Sequence, residues 1–291
     1  MSQATYQDLH WTSPDGLKLY ARDYRPASDS GLLPVIAIHG LTRNSADFGA
    51  IAPVLAEAGR RVIAVDVRGR GQSQYAPDPM TYVPPVYAGD IAALLDDQSI
   101  TRAVFLGTSM GGLITMALAA IKPQAIAAAI LNDVGPEVAI EGLTRIAAYT
   151  GQPVVVNNWD DATAYAKRIN EVAFPHFDEA QWESFARRLF LDNEEGVPVL
   201  AYDPDISAPI KAAGSGALVP DLWPLYRALA QRPTLIVRGA NSDLLSPAIL
   251  ERMLDEGDKA TAVEVTGIGH APMLDEPQAQ TAILDFLSKQ D

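Results

Sequence analysis

Residues 104–112 read Val104-Phe105-Leu106-Gly107-Thr108-Ser109-Met110-Gly111-Gly112, an apolar run that passes through Gly-x-Ser-x-Gly into a helical pattern. The run 103–106 has the character of a buried strand, and 110–121 that of a helix stopped before Pro123. A chain that reverses this sharply leaves no room for a Cβ at Gly107 or Gly111. It holds the serine in a strained conformation that lifts the hydroxyl above the strand end, where the positive end of the following helix also points. Gly-x-Ser-x-Gly alone is a weak signal. Its place between a strand and a helix makes Ser109 a candidate nucleophile rather than a helix cap.

Outward from this turn, short apolar strands alternate with helices. Residues 9–11 and 17–24 flank Pro14-Asp15-Gly16 and read as an antiparallel edge. Residues 34–38 are a continuous apolar run, as a strand covered on both faces is, and 61–65, 103–106, 127–131, 234–237 and 262–265 read as further short strands. Helical spacing occupies 45–58, 85–97, 110–121, 247–256 and 277–288. The expected class is α/β, with a mainly parallel eight-stranded sheet and helices on both faces. Residues 1–135 and 221–291 form this core. Residues 136–220 differ: the alternation lapses, Trp159, Trp182, Phe174, Phe177, Phe185 and Phe190 gather there, and 160–172 and 178–191 are helical in pattern. They are expected to form a helical lid over the strand C-termini, where open α/β sheets bind ligands.

A hydroxyl needs a base to become a nucleophile. Of the four histidines, His270 lies just after the last strand, in Thr266-Gly267-Ile268-Gly269-His270, at the same sheet edge as Ser109. His10 reads as structural or surface. The base needs an acid to orient it. Asp243, after the strand 234–237, is favoured; Asp133, after 127–131, is its rival. Acyl transfer also needs donors for a developing oxyanion, and the N–H groups of Leu41, after Ile38-His39-Gly40, and of Met110 fit that task. Possible substrate contacts are His39, Arg43, Trp159 and His176. For each of these a structural role is the simpler reading.

These pieces together resemble the α/β-hydrolase fold superfamily, in its serine-nucleophile esterase and lactonase branch. The resemblance rests on His39-Gly40, on Asp66-Val67-Arg68-Gly69-Arg70-Gly71-Gln72-Ser73, on the Ser109 turn, on Gly239 to Asp243 and on Gly269-His270. It spans the chain outside the lid, in the order Ser, Asp, His. It implies a carboxylesterase- or lactonase-type hydrolase working through an acyl-enzyme, with residues 66–73 as scaffold. A carbon–carbon bond hydrolase of aromatic degradation and a ligand-binding receptor on the same scaffold are the alternatives.

Composition narrows the partners. The net charge of −14 disfavours nucleic acid and anionic membrane surfaces. No cysteine is present, which removes disulfides, thiolate chemistry and cysteine metal sites. Residues 1–13 lack the basic and apolar regions of a signal peptide, and no long apolar span occurs, so a cytoplasmic location is expected. Gly69-Arg70-Gly71 lacks the third glycine of a dinucleotide fingerprint, no phosphate loop occurs, and no histidine pair has ligand spacing. The expected partner is a small ester or lactone, with no cofactor and no metal. The sequence does not specify an oligomeric state.

Overall fold

The apolar runs become one eight-stranded sheet in a computed structural model that describes residues 6–28, 30–213 and 221–290. Its strands are β1 (Gln7–Thr12), β2 (Lys18–Tyr24), β3 (Val35–Ile38), β4 (Val62–Asp66), β5 (Ala103–Thr108), β6 (Ile126–Asn132), β9 (Thr234–Gly239) and β10 (Ala260–Val265). A separate hairpin pairs β7 (Phe190–Asp192) with β8 (Pro198–Leu200). The sheet order is β1-β2-β4-β3-β5-β6-β9-β10. Within the eight-stranded sheet only the β1–β2 and β2–β4 pairings are antiparallel, so the edge expected from 9–24 forms as read.

Side-chain alternation explains why the central strands β3, β4, β5 and β6 are buried almost throughout. In β3, Val35 and Ala37 enter a core with α1 (Ile51–Glu57) and α10 (Pro277–Leu287), while Ile36 and Ile38 enter the opposite core. That second core is closed by α2 (Pro84–Asp97), α3 (Met110–Ile121), α8 (Trp223–Leu229) and α9 (Pro247–Glu256). Each fully buried Ile, Leu or Val contributes about 1.5–3 kcal/mol, so burial on both faces, more than local propensity, holds such short strands. The start of α9 is the one its sequence announces: Ser246 Oγ accepts from Ile249 N–H, with Pro247 at the first helical position. Residues 45–58 form a 3₁₀ turn at Ser45–Gly49 before α1 rather than one continuous helix, because Asn44 caps Ala46 and Asp66 holds the Ser45 N–H at 2.6 Å.

Between β6 and β9 lie α4 (Ile140–Tyr149), α5 (Trp159–Asn170), α6 (Glu179–Leu189), the β7–β8 hairpin, α7 (Ala208–Ala213) and α8. The helices expected at 160–172 and 178–191 correspond to α5 and α6; α6 stops where Phe190 enters β7. The sequence pattern did not announce α4, α7, α8 or the hairpin. The expected boundary at residue 220 lies outside the described residues. Trp182, Phe174 and Phe185 pack on one another, Phe190 meets Tyr165 edge-on, and Met273 from the loop after β10 joins the same cluster. Among the described residues no helix is long and apolar enough to cross a membrane.

From β3 the chain moves to β4 on one side, and from β5 it moves to β6 on the other. A crevice therefore opens at the C-terminal ends of β3 and β5, where Gly40 and Ser109 lie. The turn there tolerates no side chains: a Cβ on Gly111 would sit 2.0 Å from the Ile38 carbonyl oxygen, and one on Gly107 2.5 Å from the Gly111 backbone. Residues 66–73 form a hydrogen-bonded turn behind this crevice. Buried Asp66 accepts from Ser45 and Gln72 N–H, and Arg68 pairs with Asp90 and Asp15. Gly111→Ala is expected to lose about 3 kcal/mol or more of stability by urea denaturation, since it must displace backbone. Gly89→Ala, in open space inside α2, is expected to gain about 0.5–1 kcal/mol in the same measurement.

Candidate active site

Ser109 has φ 52° and ψ −116°, a conformation disfavoured for any residue with a Cβ. Its N–H donates to Asn132 O at 2.9 Å, tying the turn to the end of β6. The following residue of that strand end, Asp133, is fully buried with φ 57°. Its N–H donates to Val237 O at 2.7 Å, so its side chain emerges between β5 and β9.

His270 joins the two. Its Nε2 lies 2.9 Å from Ser109 Oγ and its Nδ1 2.8 Å from Asp133 Oδ2. A carboxylate only accepts, so Nδ1 carries the proton and Nε2 is free to accept from the serine hydroxyl. Asp133 is itself fixed by two further donors, Gly239 N–H to Oδ1 at 3.0 Å and Ser242 Oγ to Oδ2 at 2.7 Å. The His270 loop is gripped from both sides: Asn132 Nδ2 donates to Pro272 O, and Gly269 N–H donates to Ala173 O of the segment after α5.

Asp243 does not occupy the place expected of it. The acid against His270 is Asp133, the rival. Asp243 instead forms a two-pronged ion pair with Arg145 of α4, at 2.6 and 2.8 Å. Burial works to raise its pKa, but the Arg145 hydrogen bonds and charge outweigh it and hold the carboxyl below its ordinary range. The physical reason is the turn after β9. Ser242 N–H bonds back to Gly239 O, which aims the Ser242 side chain at Asp133 and carries Asp243 past the histidine to α4. The signal missing from the sequence reading was Arg145, in a helix that reading did not contain.

The Leu41 loop lies across from the serine: a Cβ on Gly40 would stand 3.7 Å from Ser109 Cβ. Neither Leu41 N–H nor Met110 N–H is used by a turn or ladder hydrogen bond among the described residues. Of the four possible substrate contacts, Arg43 alone lines the cavity above Ser109. It is held by Asp47 in a two-pronged pair, with its guanidinium carbon 4.1 Å from the Phe185 ring centre. His39 is buried behind the loop. Trp159 bonds Asp192 on the outer side of the insertion, under Arg187, and His176 is exposed beside Gly267. The cavity and the solvent at its mouth together span about 730 Å³. Sequence reasoning overlooked Tyr149 and Ile146 of α4, Asn170 of α5 and Leu189 of α6, all of which line it.

Two outcomes follow from this geometry. Asp133→Asn leaves His270 with the wrong tautomer and is expected to lower kcat about 10³–10⁴-fold, whereas Asp243→Asn stays within about tenfold of wild type in the same ester assay. His39 gives a pH signature. Its Nε2 accepts from Val67 N–H and its Nδ1–H donates to Gly40 O, so the ring is neutral when folded. Burial lowers its pKa from 6.5 to about 3. The unfolded chain takes up that proton first, so this contribution is complete above pH 6.5 and is lost as pH falls toward 3. It amounts to about 2 kcal/mol between pH 8 and pH 5. Urea unfolding at those two pH values, compared with His39→Asn, reads the difference.

Comparison with known proteins agrees with the fold. The sequence is 36% identical over 259 residues to a 3-hydroxybutyrate-oligomer hydrolase of Cupriavidus necator, covering 86% of each chain. It is 28% identical over 274 residues to the esterase YbfF of Escherichia coli, covering 90% of this chain and 96% of that one. A crystal structure of an α/β hydrolase from Novosphingobium aromaticivorans superposes with a TM-score of 0.91 at 44% identity, covering 98% of this chain and 99% of that one. Residues 35–283 match the Alpha/beta hydrolase family as a whole, and the chain belongs to that family.

Proposed function

We propose that this ester-acting hydrolase works through a covalent acyl-enzyme on Ser109. The observation that carries the proposal is the continuous series Asp133–His270–Ser109, linked at 2.8 and 2.9 Å at the floor of the cavity. Ser109 Oγ attacks the ester carbonyl carbon while His270 Nε2 takes its proton. The carbonyl oxygen becomes an oxyanion between Leu41 N–H and Met110 N–H, and Asp133 stabilises the imidazolium. The C–O bond then breaks, and the alcohol leaves with the proton from His270. Water, deprotonated by His270, attacks the acyl-enzyme; the acid departs and Ser109 regains its proton.

The insertion serves as a cap, since Ile146, Tyr149, Phe174 and Phe185 face Ser109 across the cavity. Their apolar surfaces suit a short acyl chain, and the Arg43–Asp47 pair supplies polar groups at one wall. That combination suits hydroxyacid esters of the kind named for the Cupriavidus relative. A lactone offers the same acyl carbon.

A fluorophosphonate probe with peptide mapping is expected to label Ser109. Ser109→Ala is expected to lower kcat for p-nitrophenyl butyrate and for a 3-hydroxybutyrate dimer by about 10⁴-fold or more. Labelling at another residue, or tight ligand binding with no turnover, would overturn the mechanism in favour of different chemistry or a binding protein.

A further inference from the structure

Arg70 is completely buried, yet it forms no ion pair among the described residues. Its donors go elsewhere: Nε to Leu41 O at 3.0 Å, Nη1 to Arg68 O at 2.9 Å and to the Tyr87 hydroxyl at 2.8 Å, and Nη2 to Met110 Sδ at 3.8 Å. The guanidinium carbon also sits 5.1 Å from the Tyr87 ring centre and 5.4 Å from that of Tyr82. The segment just before α7 closes over it. Gly71 N–H donates to Ala201 O, and Asp203 N–H donates to Gly69 O. The Asp203 carboxylate is turned to the Tyr82 hydroxyl, at 2.6 Å.

A buried cation without a counter-charge is costly, and carbonyls and ring faces repay only part of that cost. This cation touches both residues whose amides are proposed above to form the oxyanion hole, Leu41 through its carbonyl and Met110 through its sulfur. We infer that Arg70 is a positioning residue for the oxyanion hole, fixing the Leu41 loop and lending its positive charge to the oxyanion as that charge develops. The inference rests on the Ser109 mechanism proposed above. The Leu41 carbonyl and N–H share one Cα, so a donor that fixes the carbonyl restricts the direction of the N–H. In a water-poor interior the unneutralised charge acts over a longer range than it would in solvent. The ground-state ester carries no such negative charge, so the contribution belongs to the transition state and enters kcat rather than KM.

The test compares Arg70→Met, Arg70→Lys and Arg70→Gln with wild type, using p-nitrophenyl butyrate and butylboronic acid. The boronic acid adds to Ser109 Oγ, whose proton passes to His270, and gives an anionic tetrahedral boronate with one hydroxyl oxygen in the hole. For Arg70→Met the expected result is a kcat about 10–100-fold lower, KM within about threefold, and a boronate Ki raised in parallel with the loss in kcat. Arg70→Lys, which keeps the charge, is expected to recover most of both. A folded Arg70→Met with kcat and boronate Ki within threefold of wild type would overturn the inference. If Arg70→Met does not fold, Lys and Gln decide: Lys several-fold more active than Gln supports it, and equal activity overturns it. Fluorophosphonate labelling of wild type at Ser109 is read separately, so failure of the underlying mechanism would appear there and not in the Arg70 series.

Discussion

The contact between α3 and β3 sets the geometry of everything at the crevice. With 2.0 Å between the position of a Gly111 Cβ and the Ile38 oxygen, the helix start can approach the strand only as bare backbone. That approach places Ser109 directly beside the loop that leaves β3. The Ser109 N–H then bonds Asn132 O, so the same turn is referenced to β6. Serine, Leu41 loop and Asp133 are thus placed by three adjacent strands, β5, β3 and β6. Left-handed backbone at Ser109 and Asp133 costs on the order of 1–3 kcal/mol each, and the burial of β3, β5 and β6 on both faces holds it in place.

Core strands were legible because each had to be apolar on both sides, and the observed bounds fall within a residue or two of the apolar runs. Ser109 was legible because only glycines permit its turn. His270 was legible as the histidine in a loop at the matching edge. The insertion was harder to read. Helix α4 contains Gly142, which reads as a breaker; its bareness lets the helix rest on the backbone of the loop after β9, where Gly142 N–H donates to Asp243 O at 3.1 Å. The reason for that glycine lies in a contact about a hundred residues away along the chain. Trp159 and His176 had the right chemistry for a substrate wall, but helix phase and loop direction put them on the outer side, which residue type alone does not encode.

The choice between Asp133 and Asp243 has the same character, since both follow strands that end at one edge. Two details of geometry separate them. Asp133 takes a left-handed φ that turns it inward to meet three donors, from Gly239, Ser242 and His270. Asp243 is drawn outward by Arg145. Ser242 takes part in both outcomes, because the turn that carries Asp243 away is the turn that brings the Ser242 hydroxyl to Asp133.

Arg145 also supplies the charge that pairs Asp243, through a guanidinium at 2.6 Å. The insertion therefore does more than wall the cavity, because α4 provides the partner for a carboxylate of the loop after β9. On the opposite side of the serine, the buried charge of Arg70 lies behind the Leu41 loop and the neutral ring of His39 bonds the Gly40 carbonyl. With the Asp133 carboxylate behind the histidine and the Arg70 guanidinium behind the Leu41 loop, the polarity matches the charge separation that the mechanism proposed above requires.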